Sequence, residues 1–268
     1  MRTYNEKRTG YSRRISKIVG WIIFGLGAAA LISSISYNSQ ILAFIGLGLT
    51  FWGLILTYIR TEEYTKVSIL NATVQPLLKT LNQIINELGY EGKAIYLPPK
   101  YLRDPESNLV YIPKQKGKAL PKPFQIEEQP NKIFIKNLNG LLITPPGSNL
   151  VQLFEESLET SFIKVDLQYL QQNMPKVLIE DFEIAQNLEI ETINNIVRVK
   201  IEGITCMGLI KESKKLPKIW NNIGCPISSA IACALAKSSG KPVIITDQKT
   251  NIENQEIEIE YQLLIEGE

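Results

Sequence analysis

Two long apolar runs dominate the first quarter of the chain. Residues 18–36 and 41–59 contain no charged side chain, and each run is long enough to cross a bilayer as an α-helix. Only a short polar stretch around residues 37–40 separates the two runs. The pattern therefore predicts a transmembrane helical hairpin over residues 18–60.

Basic residues flank this hairpin on one side. The preceding tail, residues 1–17, carries six Lys and Arg against the single acid Glu6, and Arg60 follows the second run. Because positively charged flanks remain in the cytoplasm, we expect both termini, and a domain spanning residues 61–268, on the cytoplasmic side of the cell membrane. A cleaved signal peptide is the alternative, although a second apolar run directly after the first is not typical of one.

Small residues recur along both apolar runs. Stripes of this kind let helix backbones approach closely in lipid. The simplest interpretation is that they pack the hairpin on itself, and the alternative is that one stripe contacts a second copy or another membrane protein. Neither run contains an ionisable residue, which argues against an ion or proton pathway. The stripes consist of Gly25, Ala29 and Ser33 in the first run and of Gly46, Thr50 and Gly53 in the second.

Beyond the hairpin, shorter patterns predict a domain of class α+β. An apolar repeat of helical period over residues 67–88, interrupted at Pro76, leads from the membrane into this domain. Because strands often follow one another along the chain, we expect a mixed or antiparallel sheet with packed helices. Strands are predicted at 94–97, 109–113, 133–135, 141–143, 196–201, after Pro242 and at 257–265, and helices from 148, over 165–181 and over 226–239, with a helical turn after Gly203, a Lys-rich loop behind it and an exposed loop over 114–131.

The last predicted strand has the most regular alternation in the chain. Glu256, Glu258 and Glu260 lie on one face, opposite apolar residues. Three carboxylates on one face are compatible with a cation site. The simpler prediction is a ladder opposite Arg198 and Lys200 on a neighbouring strand, because opposite charges stabilise cross-strand pairs.

Charge and composition exclude several classes of function. Residues 1–60 carry seven basic and one acidic residue, whereas residues 61–268 carry 22 basic and 26 acidic residues. The basic tail suits an anionic lipid leaflet, and the mildly acidic domain does not suit nucleic acid. The chain has no histidine, which excludes Ser-His-Asp and Cys-His catalysis and the usual zinc sites. Three widely spaced cysteines form no metal motif, so we expect neither a metal nor a cofactor.

A helix start at Cys225 is the first candidate for chemistry. Gly224-Cys225-Pro226 precedes a helix rich in Ala and Ser, with Pro226 at its first position. A thiol at a helix N-terminus has a lowered pKa, and bare N–H groups near Gly224 and Ser228 are suited to a carboxylate or phosphate. The alternative is that Cys225 is a small buried residue in a tight corner.

A second corner lies at Pro145-Pro146-Gly147-Ser148. Gly147 and Ser148 precede a predicted helix, where their N–H groups are candidates for binding a ligand. Helix capping is the simpler interpretation. Neither a GK[ST] element nor GxGxxG occurs in the chain, so no nucleotide-binding loop is predicted.

Two resemblances involve these corners. The segments Gly224-Cys225-Pro226, Ser-Ala-Ile-Ala and Gly240-Lys241-Pro242-Val243, with the upstream Pro-Pro-Gly, resemble a family of uncharacterised, membrane-anchored archaeal proteins. That resemblance implies a membrane anchor but no activity. The C-terminal quarter is also similar to the small-molecule-binding domains named after vinyl reductase, although the cysteine-bearing ending common in that family is missing here. The second resemblance implies a ligand without identifying the residues that bind it.

Together these patterns favour a membrane-anchored cytoplasmic module that binds a small molecule or a protein and performs no chemistry. The bilayer is the first expected partner, and a homo-oligomer or protein partner would use the small-residue stripes. Two alternatives remain open. The chain is either a structural subunit of a membrane complex, or a thiol-dependent enzyme that uses Cys225.

Overall fold

The computed structural model divides the chain into two compact units, residues 1–65 and 66–268. It describes the backbone of residues 2–58, 67–115, 134–135 and 139–265, and the side chains of residues 19–56, 72–115 and 139–265. The predicted loop over residues 114–131 lies outside the described residues beyond Gln115. The side chains of the basic tail also lie outside them.

The first unit is a helical hairpin. Helix α1 spans Arg2–Tyr37 and helix α2 spans Gln40–Tyr58, with Asn38 in a left-handed turn at φ 50° between them. The predicted tail is therefore the first part of α1. Glycine brings the two helices together, since a Cβ on Gly27 would lie 2.5 Å from the Thr50 amide nitrogen.

The predicted small-residue stripe agrees with the structure in α2 but not in α1. Gly46 and Gly53 in α2 face α1, as expected for a hairpin packed on itself. In α1 the contacting glycine is Gly27, whereas nothing lies within 4 Å of a Cβ placed on Gly25, and Ala29 is exposed. Because residues two apart on a helix point about 200° away from each other, the two glycines occupy nearly opposite sides of α1.

Two helices in the described residues are long and apolar enough to cross a membrane. One is the segment Val19–Tyr37 in α1, with a mean hydropathy of 1.9 and few residues buried. The other, Ile219–Ser239, is mostly buried inside the domain and is a core helix. The segment Gln40–Leu56 in α2 is apolar but shorter. Length and composition thus identify one candidate span outside the core.

The second unit is built on one sheet in which every described pair of strands is antiparallel. The strand order is β3-β4-β2-β1-β7-β8-β6-β5, with eight described strands. The α+β class and the antiparallel option are therefore confirmed. The strands are β1 (Ile95–Tyr96), β2 (Val110–Pro113), β3 (Phe134–Ile135), β4 (Gly140–Ile143), β5 (Asn187–Ile193), β6 (Ile196–Glu202), β7 (Val243–Asn251) and β8 (Glu256–Leu263).

Helices cover one face of the sheet and enclose the main core. Alternate strand residues such as Val199, Ile259 and Tyr261 join the same buried cluster as the helix residues Phe154 and Ile231. The helices are α3 (Val67–Glu87), α4 (Ser148–Ser157), α5 (Leu167–Pro175), α6 (Met207–Lys214) and α7 (Pro226–Ser239), with 3-10 turns at Pro99–Tyr101 and Phe162–Lys164 and π-helical turns at Lys176–Asp181 and Ile219–Ile223.

The opposite face of the sheet has two parts. Under the turn at Pro99–Tyr101 it carries a small apolar cluster that includes Tyr111 and Leu142. Over β5–β8 it is open and charged, and the predicted ladder is confirmed: Arg198 Nε lies 3.1 Å from Glu260, and Lys200 Nζ lies 3.1 Å from Glu256. Two of the three carboxylates thus pair with bases on β6, as in an ordinary solvated ladder, and among the described residues no group of three or more acids is placed to hold a metal ion.

Two segments differ from the sequence prediction. Strand β5, Asn187–Ile193, was not predicted, although it pairs with β6 along its whole length. The predicted helical turn and Lys-rich loop are instead the helix α6 followed by the π-helical turn Ile219–Ile223. Buried residues such as Ile210 and Ile219 provide the tertiary contacts that fix this segment as helix.

Candidate functional site

The corner before α7 is fully buried. Cys225 is the N-cap, and its sulfur accepts the backbone N–H of Ser228 at 3.5 Å, while the Ser228 hydroxyl donates to the Cys225 carbonyl at 3.0 Å. Neither residue is exposed. Gly224 adopts φ 95°, and a Cβ there would lie 2.6 Å from the Ser228 hydroxyl, so only glycine fits. The sulfur and the carbonyl oxygen of Cys225 are thus both used in hydrogen bonds within this turn.

The environment of Cys225 does not favour nucleophilic chemistry. Burial raises the pKa of its thiol, which outweighs the hydrogen bonds from Ser228 that lower it. The helix N-terminus was expected to lower this pKa. The opposite direction arises because a thiolate here would have no contact with water. The described surroundings thus favour the alternative interpretation, a small buried residue in a tight corner.

The second corner packs against the first turn of α7. The Gly147 N–H donates to the Ser229 hydroxyl at 3.1 Å, and a Cβ on Gly147 would lie 2.2 Å from the Ala230 nitrogen. Ser148 is buried, and its carbonyl accepts the Asn108 amide at 3.4 Å. The structure therefore brings both predicted corners to one end of α7, where they pack against each other.

A different part of the domain does form a cavity, beside Lys93. The Lys93 ammonium donates to the carbonyl of Ile245 at 2.8 Å and also to that of Thr246. These carbonyls belong to an irregularity in β7, where the pairing with β8 shifts between Ile245 and Asp247. Such bulges are common beside functional sites. Burial lowers the pKa of Lys93, although Asp247 partly opposes the shift.

The π-helical turn Ile219–Ile223 forms the other wall. Trp220 is half-buried and Asn221 is exposed, and both line the cavity. Asn222 fixes the turn to the strand side, because its amide donates to the Gly92 carbonyl at 3.1 Å and its carbonyl accepts the Ala94 N–H at 2.8 Å. Single π-turns recur at functional sites. The turn Ile219–Ile223 places the Trp220 ring and the Asn221 amide in the same cavity as the irregular part of β7.

Gln248 is the unusual residue of this region. Both polar atoms of its side-chain amide are buried, and neither has a hydrogen-bond partner among the described residues. A buried amide without a partner costs about 1–3 kcal/mol. Gln248 also adjoins the first corner, because a Cβ on Gly224 would lie 3.3 Å from its Oε1. Such a group needs a water or a ligand to satisfy it.

We call this region the Lys93 cleft. It consists of a cavity of about 730 Å³ and one of about 270 Å³, which share Lys93 and Asn221. Ligand sites in proteins commonly fall in the range of about 300–1,000 Å³. The larger cavity is lined by Glu91, Lys93, Pro217, Lys218, Asn221, Asn222 and Ile244, and the smaller by Lys93, Trp220, Asn221, Ile245, Thr246, Asp247 and Gln248.

Comparison with known proteins identifies a family for the whole chain. Residues 2–262 match the model of a family described as Domain of unknown function (DUF7982). The chain belongs to this family. Comparison of this chain with curated proteins and with solved structures gave no match. The family model spans the apolar hairpin as well as the domain, so both parts belong to one DUF7982 unit.

The Lys93 cleft in this DUF7982 protein is lined by several groups that can form hydrogen bonds. It offers two ammonium groups, three side-chain amides and an aromatic ring, together with the two acids Glu91 and Asp247. Among the described residues, no group of three or more Cys, Asp and Glu is placed to hold a metal ion. The arrangement can recognise a polar molecule through hydrogen bonds and through the positive charges of Lys93 and Lys218.

Sequence reasoning missed every residue of the cleft. Lys93 and Gln248 are unremarkable in the sequence, and the strand that carries Gln248 was predicted only as an element. A signal was available for Trp220, the single tryptophan of residues 61–268, next to two asparagines. Polar and aromatic residues in a short segment between helices are typical of binding loops.

Proposed function

We propose that this protein is a membrane-anchored, cytoplasmic binding module whose ligand site is the Lys93 cleft. The unpartnered amide of Gln248, held beside a cavity, is the observation that carries this proposal. Native proteins contain few such groups, and a ligand with a donor and an acceptor would satisfy this one. The ammonium and amide groups that line the cleft support binding through hydrogen bonds.

The proposed ligand is a small polar molecule with a carboxylate or carbonyl oxygen. Two of the three protons of the Lys93 ammonium are taken by the carbonyls of Ile245 and Thr246, which leaves one for a ligand oxygen. The amides of Asn221 and Gln248 supply both donors and acceptors, and Trp220 supplies an apolar surface. A planar molecule with mixed donors and acceptors fits this set.

The proposed anchor is the helical hairpin, with both termini in the cytoplasm. The length and apolarity of Val19–Tyr37 and the exposed apolar surface of α2 support it. The basic residues before the apolar part of α1 and the uncharged turn between α1 and α2 support the orientation. A bilayer would cover the apolar side chains that the hairpin leaves exposed, such as Phe44 and Trp52.

Native mass spectrometry of the full-length protein, released gently from its own membrane, tests the ligand. We expect extra mass from a small molecule on the unaltered chain, and its loss in Lys93→Met. Lys215→Met is the matched control, because Lys215 is an exposed lysine that pairs with Glu212 and is not among the residues that line the cleft. A bare unaltered chain, or extra mass that persists in Lys93→Met, would contradict the ligand site.

Single added cysteines test the orientation. Tyr37→Cys lies at the turn of the hairpin, and Asn254→Cys lies in the exposed turn between β7 and β8. With an impermeant maleimide, we expect intact cells to label Tyr37→Cys only, and permeabilised cells to label both above the level of the unaltered chain. Labelling of Asn254→Cys in intact cells would reverse the proposed orientation.

A further inference from the structure

The side-chain amide of Gln248 sets a requirement on any molecule that binds in the Lys93 cleft. Its Nε2 is a hydrogen-bond donor and its Oε1 is an acceptor, and neither atom has a partner among the described residues. A molecule with acceptors alone would satisfy Nε2 and leave Oε1 buried without a donor. Because an unmet buried acceptor is unfavourable, a molecule that satisfies this side chain carries a donor beside an acceptor.

Two hydroxyl groups near Gln248 donate their protons elsewhere. The Ser228 hydroxyl and Gln248 Oε1 both lie within 3.3 Å of a Cβ placed on Gly224, but this hydroxyl donates to the Cys225 carbonyl at 3.0 Å. The Thr246 hydroxyl lines the same cavity as Gln248 and donates to strand β8 at 3.0 Å. A hydroxyl has one proton to donate, so neither group supplies the donor that Oε1 needs.

The smaller cavity of the cleft gives a molecule access to this amide. The side chain of Gln248 lines that cavity together with Trp220 and Asn221. A rotation about the flexible side-chain bonds of Gln248 presents its amide edge to a molecule held there. Hydrogen bonds in such an enclosed place are stronger than those in bulk water, and the Trp220 ring supplies an apolar surface for the rest of the molecule.

The charges that line the cleft suit an uncharged molecule. The two cavities are lined by two basic side chains, Lys93 and Lys218, and by two acidic ones, Glu91 and Asp247. Two positive and two negative charges give the lining a net charge of zero. The cleft therefore has no excess positive charge to attract an anion, and its two acids repel a carboxylate.

We infer that the ligand of the Lys93 cleft is an uncharged molecule with an amide edge, in which an N–H lies beside a C=O, as in a primary carboxamide or a lactam. This ligand class rests on the proposed function and narrows it. The ligand N–H donates to Gln248 Oε1, and the ligand carbonyl accepts from Gln248 Nε2. A carboxylate has no N–H and cannot form this pair of hydrogen bonds.

Two matched probes, nicotinamide and nicotinate, test this inference. They share one planar ring, and a carboxamide in the first replaces the carboxylate of the second. Ligand-observed NMR, with the full-length protein in detergent and empty micelles as the blank, measures both dissociation constants. We expect nicotinamide to bind about tenfold more tightly, because it alone satisfies both atoms of Gln248. Equal binding, tighter binding of nicotinate, or binding of neither probe would overturn the inference.

Replacement of Gln248 tests whether its amide is the origin of this preference. Gln248→Met keeps the length of the side chain and removes both unpartnered atoms, so its urea midpoint should not fall. Its affinity for nicotinamide should drop to that for nicotinate. Gln172→Met is the matched control, because Gln172 is an exposed glutamine that lines neither cavity, and it should keep the tenfold preference. A preference that survives in Gln248→Met would contradict the pairing with Gln248.

Lys93→Met separates this inference from the proposed site. Lys93 can donate to an oxygen of either probe, so we expect both probes to bind more weakly in this variant. If both bind more weakly but the unaltered chain shows no preference for nicotinamide, the amide edge is overturned and the Lys93 cleft remains the site. If Lys93→Met changes the binding of neither probe, the probes bind elsewhere, and both the cleft and the amide edge are overturned.

Discussion

The buried ion pair between Lys237 and Glu155 offers the sharpest test of how this domain is stabilised. Lys237 lies in the last turn of α7, where a positive charge also complements the helix dipole. Its side chain is 2% exposed, and its Nζ lies 3.0 Å from Glu155 Oε2 on α4. It also donates to the Glu106 carbonyl at 3.3 Å. The pair thus ties α7 to α4 from within the protein.

The expected cost of breaking this pair follows from what remains. Removal of one partner from a buried pair costs about 3–5 kcal/mol, because the other charge stays buried. In Lys237→Met, Glu155 remains 12% exposed and still accepts the Phe162 N–H at 2.8 Å and the Ser161 hydroxyl at 3.1 Å. We therefore expect a loss of about 3 kcal/mol in the free energy of unfolding, the lower end of that range.

The reverse substitution should cost more. In Glu155→Gln, Lys237 keeps the Glu106 carbonyl, but its nearest carboxylate is then Glu106 Oε2 at 4.0 Å, on an exposed side chain. We expect a loss of about 4 kcal/mol. The double variant Lys237→Met with Glu155→Gln buries no charge and keeps an acceptor for Phe162. It should therefore be more stable than either single variant.

Pulse proteolysis of the full-length protein in detergent, across a urea series, measures these free energies. Lys215→Met serves as the control, because its exposed pair with Glu212 contributes little to stability. The reasoning is refuted if Lys237→Met unfolds at the same urea concentration as the unaltered chain. It is refuted equally if the two single losses simply add in the double variant, because coupled charges cannot behave independently.

Three further predictions concern the corners at α7 and the thiols of Cys206 and Cys225. Gly147→Ala should destabilise the domain by about 1–3 kcal/mol in the same urea assay, because its Cβ would lie 2.2 Å from the Ala230 nitrogen. Asn149→Ala, the control at a neighbouring exposed position, should leave the stability unchanged. Equal unfolding midpoints for the two variants would contradict this prediction. Burial raises the pKa of Cys206 to about 11 and also raises that of Cys225. Alkylation of Cys206 should therefore be slow at neutral pH and accelerate toward pH 11. Cys225 should be alkylated only when the protein unfolds, because its side chain is buried. Alkylation of Cys225 in the native protein at the rate of a free thiol would contradict this burial. Because raised thiol pKa values favour the protonated native state, stability should fall as the pH rises above about 9, where unfolded thiols ionise.

Strands and helices with a regular local pattern could be predicted from the sequence, because periodicity alone identifies them. The alternation in β8 predicted both its strand and its ladder with Arg198 and Lys200, and the register confirms that pairing. Pro226 and Gly240 correctly bounded α7. The same reasoning missed β5, whose outer face is largely exposed at the edge of the sheet, so its alternation carries a weaker hydrophobic signal.

The sequence did not predict which of two nearby residues makes a tertiary contact, because that depends on which way a helix faces. Gly25 and Gly27 are equivalent as small residues, and only the docking of α2 decides that Gly27 is the contact. Lys237 likewise had two uses, at a helix end or in a buried pair. The second requires Glu155, which is 82 residues away in sequence, and no local pattern brings the two together.

The Lys93 cleft was hidden for a related reason, the register shift in β7. Side chains alternate between the two faces of a strand, so one extra residue moves every later side chain to the other face. Without the shift between Ile245 and Asp247, strict alternation from Ile245 would direct residue 248 to the open, charged face. The shift instead pairs Gln248 with Ile259, on the face that the helices cover. A polar residue is thereby enclosed beside a cavity, and only the pairing of β7 with β8 reveals it.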